Sequence, residues 1–205
     1  MLAIIDYGRG NLFSLQSALK YLGSNFKIVA NAEELNSSYD KIILPGVGAF
    51  GDAIAQLKYK NFISKLNNAY ERKVPILGIC LGMQLFASRS FEFLTTEGFN
   101  FIPGEVKKLK LDKPYNIPNI GWRILKNKKE NRILKDNFNN KMTYFVHSFG
   151  FFPENKKHIL SVITIGSQNI PAIVRNNNVI GFQFHPEKSG KVGLGMLDWF
   201  LNDFS

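Results

Sequence analysis

The chain has little of several things. Among its 205 residues are one cysteine, three histidines and two tryptophans. One cysteine cannot close an internal disulfide, so nothing points to an oxidising compartment or a cystine-stapled fold. No long apolar run is present either. The longest, 74–87, is broken by Gly78, Gly82 and Gln84 and falls short of the roughly 20 residues that span a bilayer. The opening "MLAIIDYGRGN" lacks a basic start and is cut by Asp6, so it does not read as a signal peptide. A cytoplasmic protein that engages no membrane is the plain reading. Repeats, low-complexity linkers and composition shifts are also missing, and 1–205 reads as one domain. No metal or cofactor is implied.

Acidic residues are scarce as well: 16 against 26 basic ones leave a formal charge of +10. Such an excess occurs in nucleic-acid and acidic-membrane binders. Here much of it lies in "VKKLKLDKP" (106–114) and "LKNKKENRILK" (125–135), with no aromatics in the second for base stacking. A solvated Lys-rich surface is the simpler expectation, and it could steer an acidic protein partner. Salt-sensitive nucleic-acid binding is the competing class, and it predicts no loss on Cys80→Ala.

What the chain does have is alternation. "LAIIDYG" (2–8) reads as a buried strand, "NLFSLQSALKYLG" (11–23) as a helix with Leu12, Leu15, Leu19 and Leu22 on one face, and "FKIVA" (26–30) as a strand. "KIIL" (41–44) is a third strand, 50–73 a helix, "VPILGI" (74–79) a fourth strand and 81–90 a helix. This pattern predicts an open, mostly parallel sheet with helices on both faces. The second half reads as turn-linked strands, partly antiparallel, closed by an amphipathic helix over 190–204.

Cys80 lies at the junction of the fourth strand and the next helix, in the frame Gly78-x-Cys80-x-Gly82. That is the nucleophile-elbow frame with cysteine in place of serine. The helix N-terminus favours the reactive thiolate there. A buried inert cysteine fits the same five residues. A nucleophile needs a base and the base an orienting group. In "GFQFHPEK", Gln183, His185 and Glu187 fall two apart, on one face if the strand continues; an edge His–Glu pair meeting solvent is the alternative. His158, after "ENKK", reads as exposed. The third feature is "LPGVGAFGD" (44–52), a Gly-rich loop after a buried strand. It matches neither nucleotide-binding fingerprint, but its backbone N–H groups and that of Leu81 could converge on an oxyanion.

Together these pieces resemble the class I, triad-type glutamine amidotransferases, and within them the glutaminase subunits of imidazole glycerol phosphate synthase. The likeness rests on "IIDYGRGNL", "LPGVGAFGDA", "GICLGMQLF", "IPGEV", "GW", "YFVHSF" and "GFQFHPEKSG", which run from residue 4 to residue 190. It implies a flavodoxin-like fold and glutamine hydrolysis with Cys80 as nucleophile, His185 as base and Glu187 as orienting acid. It further implies an oxyanion hole from Gly46, Val47 and Leu81 after the loop reorients. The glutamine pocket would comprise Gly48, Gly82, Gln84, His147, Ser148 and Phe149. The implied partner is a (β/α)8 synthase that consumes the ammonia, met at Asn11, Trp122, Tyr144 and Lys188. The stretch "PNIGWR" (118–123) departs from the family's usual His-Met-Gly-Trp-Asn, and Phe149 stands where tyrosine is usual. These departures leave open a paralogous role, supplying ammonia for a bacterial surface sugar.

Overall fold

Four apolar runs form the left half of one sheet: Leu2–Ile5 (β1), Phe26–Val29 (β2), Lys41–Gly46 (β3) and Ile76–Cys80 (β4). The computed structural model describes residues 1–128, 134 and 138–204. Every residue of β1 and β4 is buried, as expected of parallel strands covered on both faces. Side chains divide by strand period. Leu2 and Ile4 enter one core with Ile43, Leu77 and Ile79, while Ala3 and Ile5 enter the other with Ile42, Leu44 and Ile76.

Helices cover both faces. Leu12–Tyr21 (α1) and Gly190–Asn202 (α5) pack Leu15, Leu19, Met196 and Phe200 into the first core. Phe50–Tyr59 (α2) and Phe62–Glu71 (α3) pack Phe50, Leu57, Phe62 and Leu66 into the second. The single helix expected over 50–73 is thus two. Lys60 closes the first through its N–H to Gln56 O, and Asn61 takes a left-handed φ of 59°, a conformation asparagine tolerates better than most residues.

The remaining strands are Arg89–Ser90 (β5), Thr96–Glu97 (β6), Gly104–Lys108 (β7), Asn119–Ile124 (β8), Lys126–Asn127 (β9), Met142–His147 (β10), Phe149–Pro153 (β11), Ile159–Ile165 (β12), Gln168–Asn176 (β13) and Val179–Phe182 (β14). The central sheet runs β2-β1-β3-β4-β14-β13-β12-β9. It is parallel from β2 to β14 and antiparallel beyond. A ribbon of β8 and β10 and a smaller sheet β11-β7-β5-β6 stand apart from it. The helix expected over 81–90 ends at Gln84 (α4, Leu81–Gln84). Phe86 and Ala87 then bond to carbonyls three residues back, with Leu85, Phe86 and Ala87 all fully buried. Much of the Lys-rich run 125–135 lies outside the described residues.

Candidate active site

β4 ends on Cys80, whose φ of 54° and ψ of −109° are rare for any residue but glycine. Such strain persists only where its surroundings enforce it. Here they do. A Cβ on Gly78 would lie 2.6 Å from the Gly82 carbonyl group, and one on Gly82 would lie 1.8 Å from the Leu44 carbonyl oxygen. The Gly-x-Cys-x-Gly frame is therefore a steric condition for the turn. Gly82 packs behind it against β3, away from the cavity wall.

The turn delivers the sulfur to a cavity of about 350 Å³ whose wall includes Cys80, Gln84, Glu92, His147 and His185. Sγ lies 3.8 Å from the Gln183 side-chain nitrogen and 4.0 Å from the Val146 carbonyl. His185 stands just past β14, its backbone N–H donating to Tyr144 O at 3.0 Å. Its Nδ1 is 2.9 Å from Glu187 Oε1, with both side chains almost wholly buried. Since the carboxylate accepts, Nδ1 carries a hydrogen. Nε2 is buried without a closed hydrogen bond. Burial opposes charge on this ring, but the Cys80 sulfur and the Glu187 carboxylate outweigh it and push the pKa up to about 10. The ring is thus held as imidazolium beside the sulfur. Glu187 belongs to a single turn over Pro186–Lys188 rather than to the strand. The two-residue spacing places His185 and Glu187 in contact through that turn.

The loop after β3 flanks the sulfur. Gly46 pairs in register with Cys80, and a Cβ on it would meet the buried Tyr7 hydroxyl at 2.6 Å. Val47 donates its N–H to Arg9 O at 2.8 Å, so that amide is engaged away from the sulfur. Gly48 holds φ at +95° beside open space and lines the cavity with Val47 and Leu81. Leu81 is the first residue of α4, and its amide has no acceptor within the helix.

Across the cavity, His147 Nδ1 is 2.8 Å from Phe149 O, and Nε2 is 3.0 Å from Asn119 Nδ2. Burial lowers this ring's pKa to about 4. Gln84 Nε2 donates to the same Phe149 carbonyl at 2.9 Å and to Gln183 Oε1 at 3.0 Å. Ser148 and Phe149 complete that wall.

The four residues expected at an interface separate into two groups. Trp122 and Tyr144 face each other across the β8–β10 register, ring centroids 6.0 Å apart. Asn11 opens α1, its side-chain amide 3.4 Å from Ser14 Oγ, and lines a crevice with His185 and Glu187. Lys188 is exposed on the turn after Glu187. Residues that the sequence reading did not single out for the site also appear. Glu92 lines the cavity while Oε2 accepts from the Phe50 amide at 2.7 Å; "SFEFLTTEG" carries no motif that marks it. Asn119 and Arg123, which the sequence did mark as departures from the family's pattern, are joined, Arg123 Nε donating to Asn119 Oδ1 at 2.9 Å. The outward residues of the ribbon, Ile120, Trp122, Ile124, Met142 and Val146, form an exposed apolar face, legible only once the strands are paired.

An open α/β sheet that presents a strained cysteine to a Glu-held histidine defines a class of thiol hydrolases, and relatives narrow it. The family profile described as "Glutamine amidotransferase class-I" matches residues 3–203. This chain belongs to that family. It is 44% identical over 200 residues to "Imidazole glycerol phosphate synthase subunit HisH" of Caldanaerobacter subterraneus subsp. tengcongensis, covering 98% of this chain and 97% of the relative. It is 39% identical to the protein of that name from Bacillus cereus, covering 98% and 93%. Against "Imidazole glycerol phosphate synthase subunit HisH 1" of Legionella pneumophila the identity is 41%, with 97% of each covered. Among solved structures, "Crystal structure of glutamine amidotransferase" superposes with a TM-score of 0.75 at 17% identity, covering 97% of this chain and 96% of that one. "Structure of PurLQS from Thermotoga maritima" gives 0.74 at 20%, covering 98% and 97%. These two speak for the fold alone.

Proposed function

We propose that this chain is the glutaminase subunit of an imidazole glycerol phosphate synthase, hydrolysing glutamine to glutamate and ammonia for a (β/α)8 partner in histidine biosynthesis. The observation that carries the chemistry is that Cys80 and His185 line one cavity, with Glu187 bonded to the other side of the imidazole at 2.9 Å. The Cys80 thiolate attacks the side-chain carboxamide carbon. His185, as imidazolium, gives its Nε2 proton to the departing nitrogen, so ammonia leaves and a γ-glutamyl thioester forms. Now neutral, His185 takes a proton from water, the hydroxide adds to the thioester, and glutamate is released with the thiolate restored. Glu187 keeps Nδ1 protonated and steadies each imidazolium.

The Leu81 amide is one oxyanion donor, and the Gly46–Gly48 loop supplies the second once the Val47 amide leaves Arg9 O. Until then the hole is incomplete, which makes the isolated chain a slow glutaminase. The substrate's α-ammonium group suits Glu92, the one carboxylate among the described residues of the cavity wall. Gln84, His147, Ser148, Phe149 and Gly48 enclose the rest.

Free ammonia is protonated in neutral water and loses its nucleophilicity, so a sealed route to the acceptor is required. The β8–β10 ribbon fits the surface such a partner covers. Its outward side chains are apolar, with Ile120, Trp122, Ile124 and Met142 each 45–55% exposed. Its Val146 carbonyl reaches the nucleophile at 4.0 Å. Asn11 and Lys188 form the polar margin. No helix among the described residues is long and apolar enough to cross a membrane. The proposed work alongside a biosynthetic synthase favours a cytoplasmic location. The test is glutamine turnover with and without the barrel synthase carrying its phosphorylated acceptor. Weak activity alone and strong activation by the loaded partner are expected. Full turnover by the isolated chain would overturn the subunit reading.

A further inference from the structure

The two ribbon faces do different things. Ile120, Trp122 and Ile124 point outward; Asn119, Gly121 and Arg123, by strand alternation, point inward. Asn119 is 1% exposed and makes two bonds: Arg123 Nε to its Oδ1 at 2.9 Å, and its Nδ2 to His147 Nε2 at 3.0 Å. These bonds settle one another. A guanidinium only donates, so the Asn119 atom facing Arg123 must be the oxygen, and the one facing His147 must be the NH2 group. The NH2 group only donates, so His147 Nε2 must carry a lone pair. Its Nδ1 must then carry the hydrogen, and it does face an acceptor, Phe149 O at 2.8 Å. That carbonyl also receives Gln84 Nε2, whose second acceptor, Gln183, touches the Cys80 sulfur. One donor direction thus passes from Arg123 to the wall of the cavity without a break.

We propose that Arg123 and Asn119 are positioning residues for glutamine binding: Arg123 fixes the amide orientation of Asn119, which holds His147 as the neutral Nδ1–H tautomer and so keeps the Phe149 carbonyl and Gln84 in place. The proposal deepens the glutaminase reading and rests on it. Without Arg123, the Asn119 amide is free to turn its oxygen toward Nε2. That arrangement demands an Nε2–H ring, whose bare Nδ1 would face the Phe149 carbonyl and repel it. The Phe149 strand end would shift, and Gln84 with it. His185 and Glu187 lie outside this chain of bonds, and Cys80 meets it only at its far end, through the Gln183 nitrogen at 3.8 Å, so the effect falls on substrate binding rather than on the chemical step.

The test has two arms. In the first, ring nitrogen shifts of His147 are read by NMR in labelled, unliganded protein, which requires no activity. The wild-type chain is expected to show Nδ1–H with an unprotonated Nε2. Arg123→Leu is expected to mix tautomers. Arg123→Lys, which keeps a donor, should restore the single form. Asn119→Asp puts an acceptor-only carboxylate against Nε2, and His147 should then stay doubly protonated to near neutral pH. The other titratable groups around the cavity are His185, Cys80 and Glu92, and all three variants leave them in place. In the second arm, with the partner present, Arg123→Leu is expected to raise the glutamine KM about tenfold, the loss of roughly one well-made hydrogen bond, with kcat changed less than about twofold. A wild-type His147 in the Nε2–H form, or an unchanged tautomer in Arg123→Leu, would overturn the proposal even if glutamine is hydrolysed as described. A loss of kcat at unchanged KM would overturn it too. Absence of glutaminase activity in the wild-type complex would instead sink the function on which it rests.

Discussion

Acid should loosen this fold through His147, and the size of the effect follows from its burial. The ring is held neutral in the folded chain, with its pKa brought from 6.5 down to about 4. In the unfolded chain it titrates near its ordinary value. Between those values the unfolded chain binds a proton that the folded chain refuses, so stability falls as the pH drops. At about 1.4 kcal/mol for each pH unit, the whole window carries about 3 kcal/mol, a large share of the roughly 5–15 kcal/mol typical of a native domain. His185 acts at the other end of the scale. Its folded-state pKa is raised, so its contribution is complete below about 6.5 and fades as the pH climbs toward 10, leaving the acid window clear. The assay is urea denaturation of the wild-type chain and His147→Phe at several values from about pH 7.5 to about pH 4. The variant is less stable throughout, because Asn119 and Phe149 O lose a partner. The difference between the chains should nonetheless shrink by about 3 kcal/mol across the window. Parallel curves would refute the reasoning, as would a difference that widens in acid.

Three further outcomes follow from the geometry. Gly82→Ala forces a methyl group to within 1.8 Å of the Leu44 carbonyl; a loss of at least about 3 kcal/mol in denaturant melts is expected, and a wild-type midpoint would show that the elbow is not so tight. Glu187→Gln removes a charge that raises the His185 pKa, and kcat should fall roughly 100-fold, in line with the worth of a charged hydrogen bond, at little cost in KM. Trp122→Ala strips the largest side chain from the exposed ribbon face and should weaken binding of the barrel partner roughly thirtyfold, about 2 kcal/mol, by calorimetric titration; undiminished affinity would place the partner elsewhere.

How much of this was legible beforehand depends on the range of the signal. β1 to β4 announced themselves because strands buried on both faces read as unbroken apolar runs. Cys80 announced itself because the turn tolerates almost nothing but glycine on either side. The two-residue spacing of His185 and Glu187 was visible, although the contact arises in a turn after the strand. The break at Asn61 was easy to miss: no glycine or proline marks it, and only the five-residue step from Leu57 to Phe62, against the three or four of a helix, records it. The early end of α4 was hidden for a related reason: Leu85, Phe86 and Ala87 favour a helix locally, and burial on every side decides otherwise. Glu92 is held by the Phe50 amide, 42 residues away in the chain, and the Asn119–His147 bond forms only because β10 folds against β8. No local pattern records such a meeting.

The proposed chemistry requires Cys80 to become the acyl carrier. Intact-protein mass spectrometry of the partner-bound chain, acid-quenched during glutamine turnover, tests it directly. A γ-glutamyl adduct on Cys80 is expected in the wild-type chain, with none in Cys80→Ala and little or none in His185→Asn, which lacks the acid that releases ammonia. Ammonia release that continues in Cys80→Ala, or an adduct on any other residue, would contradict it.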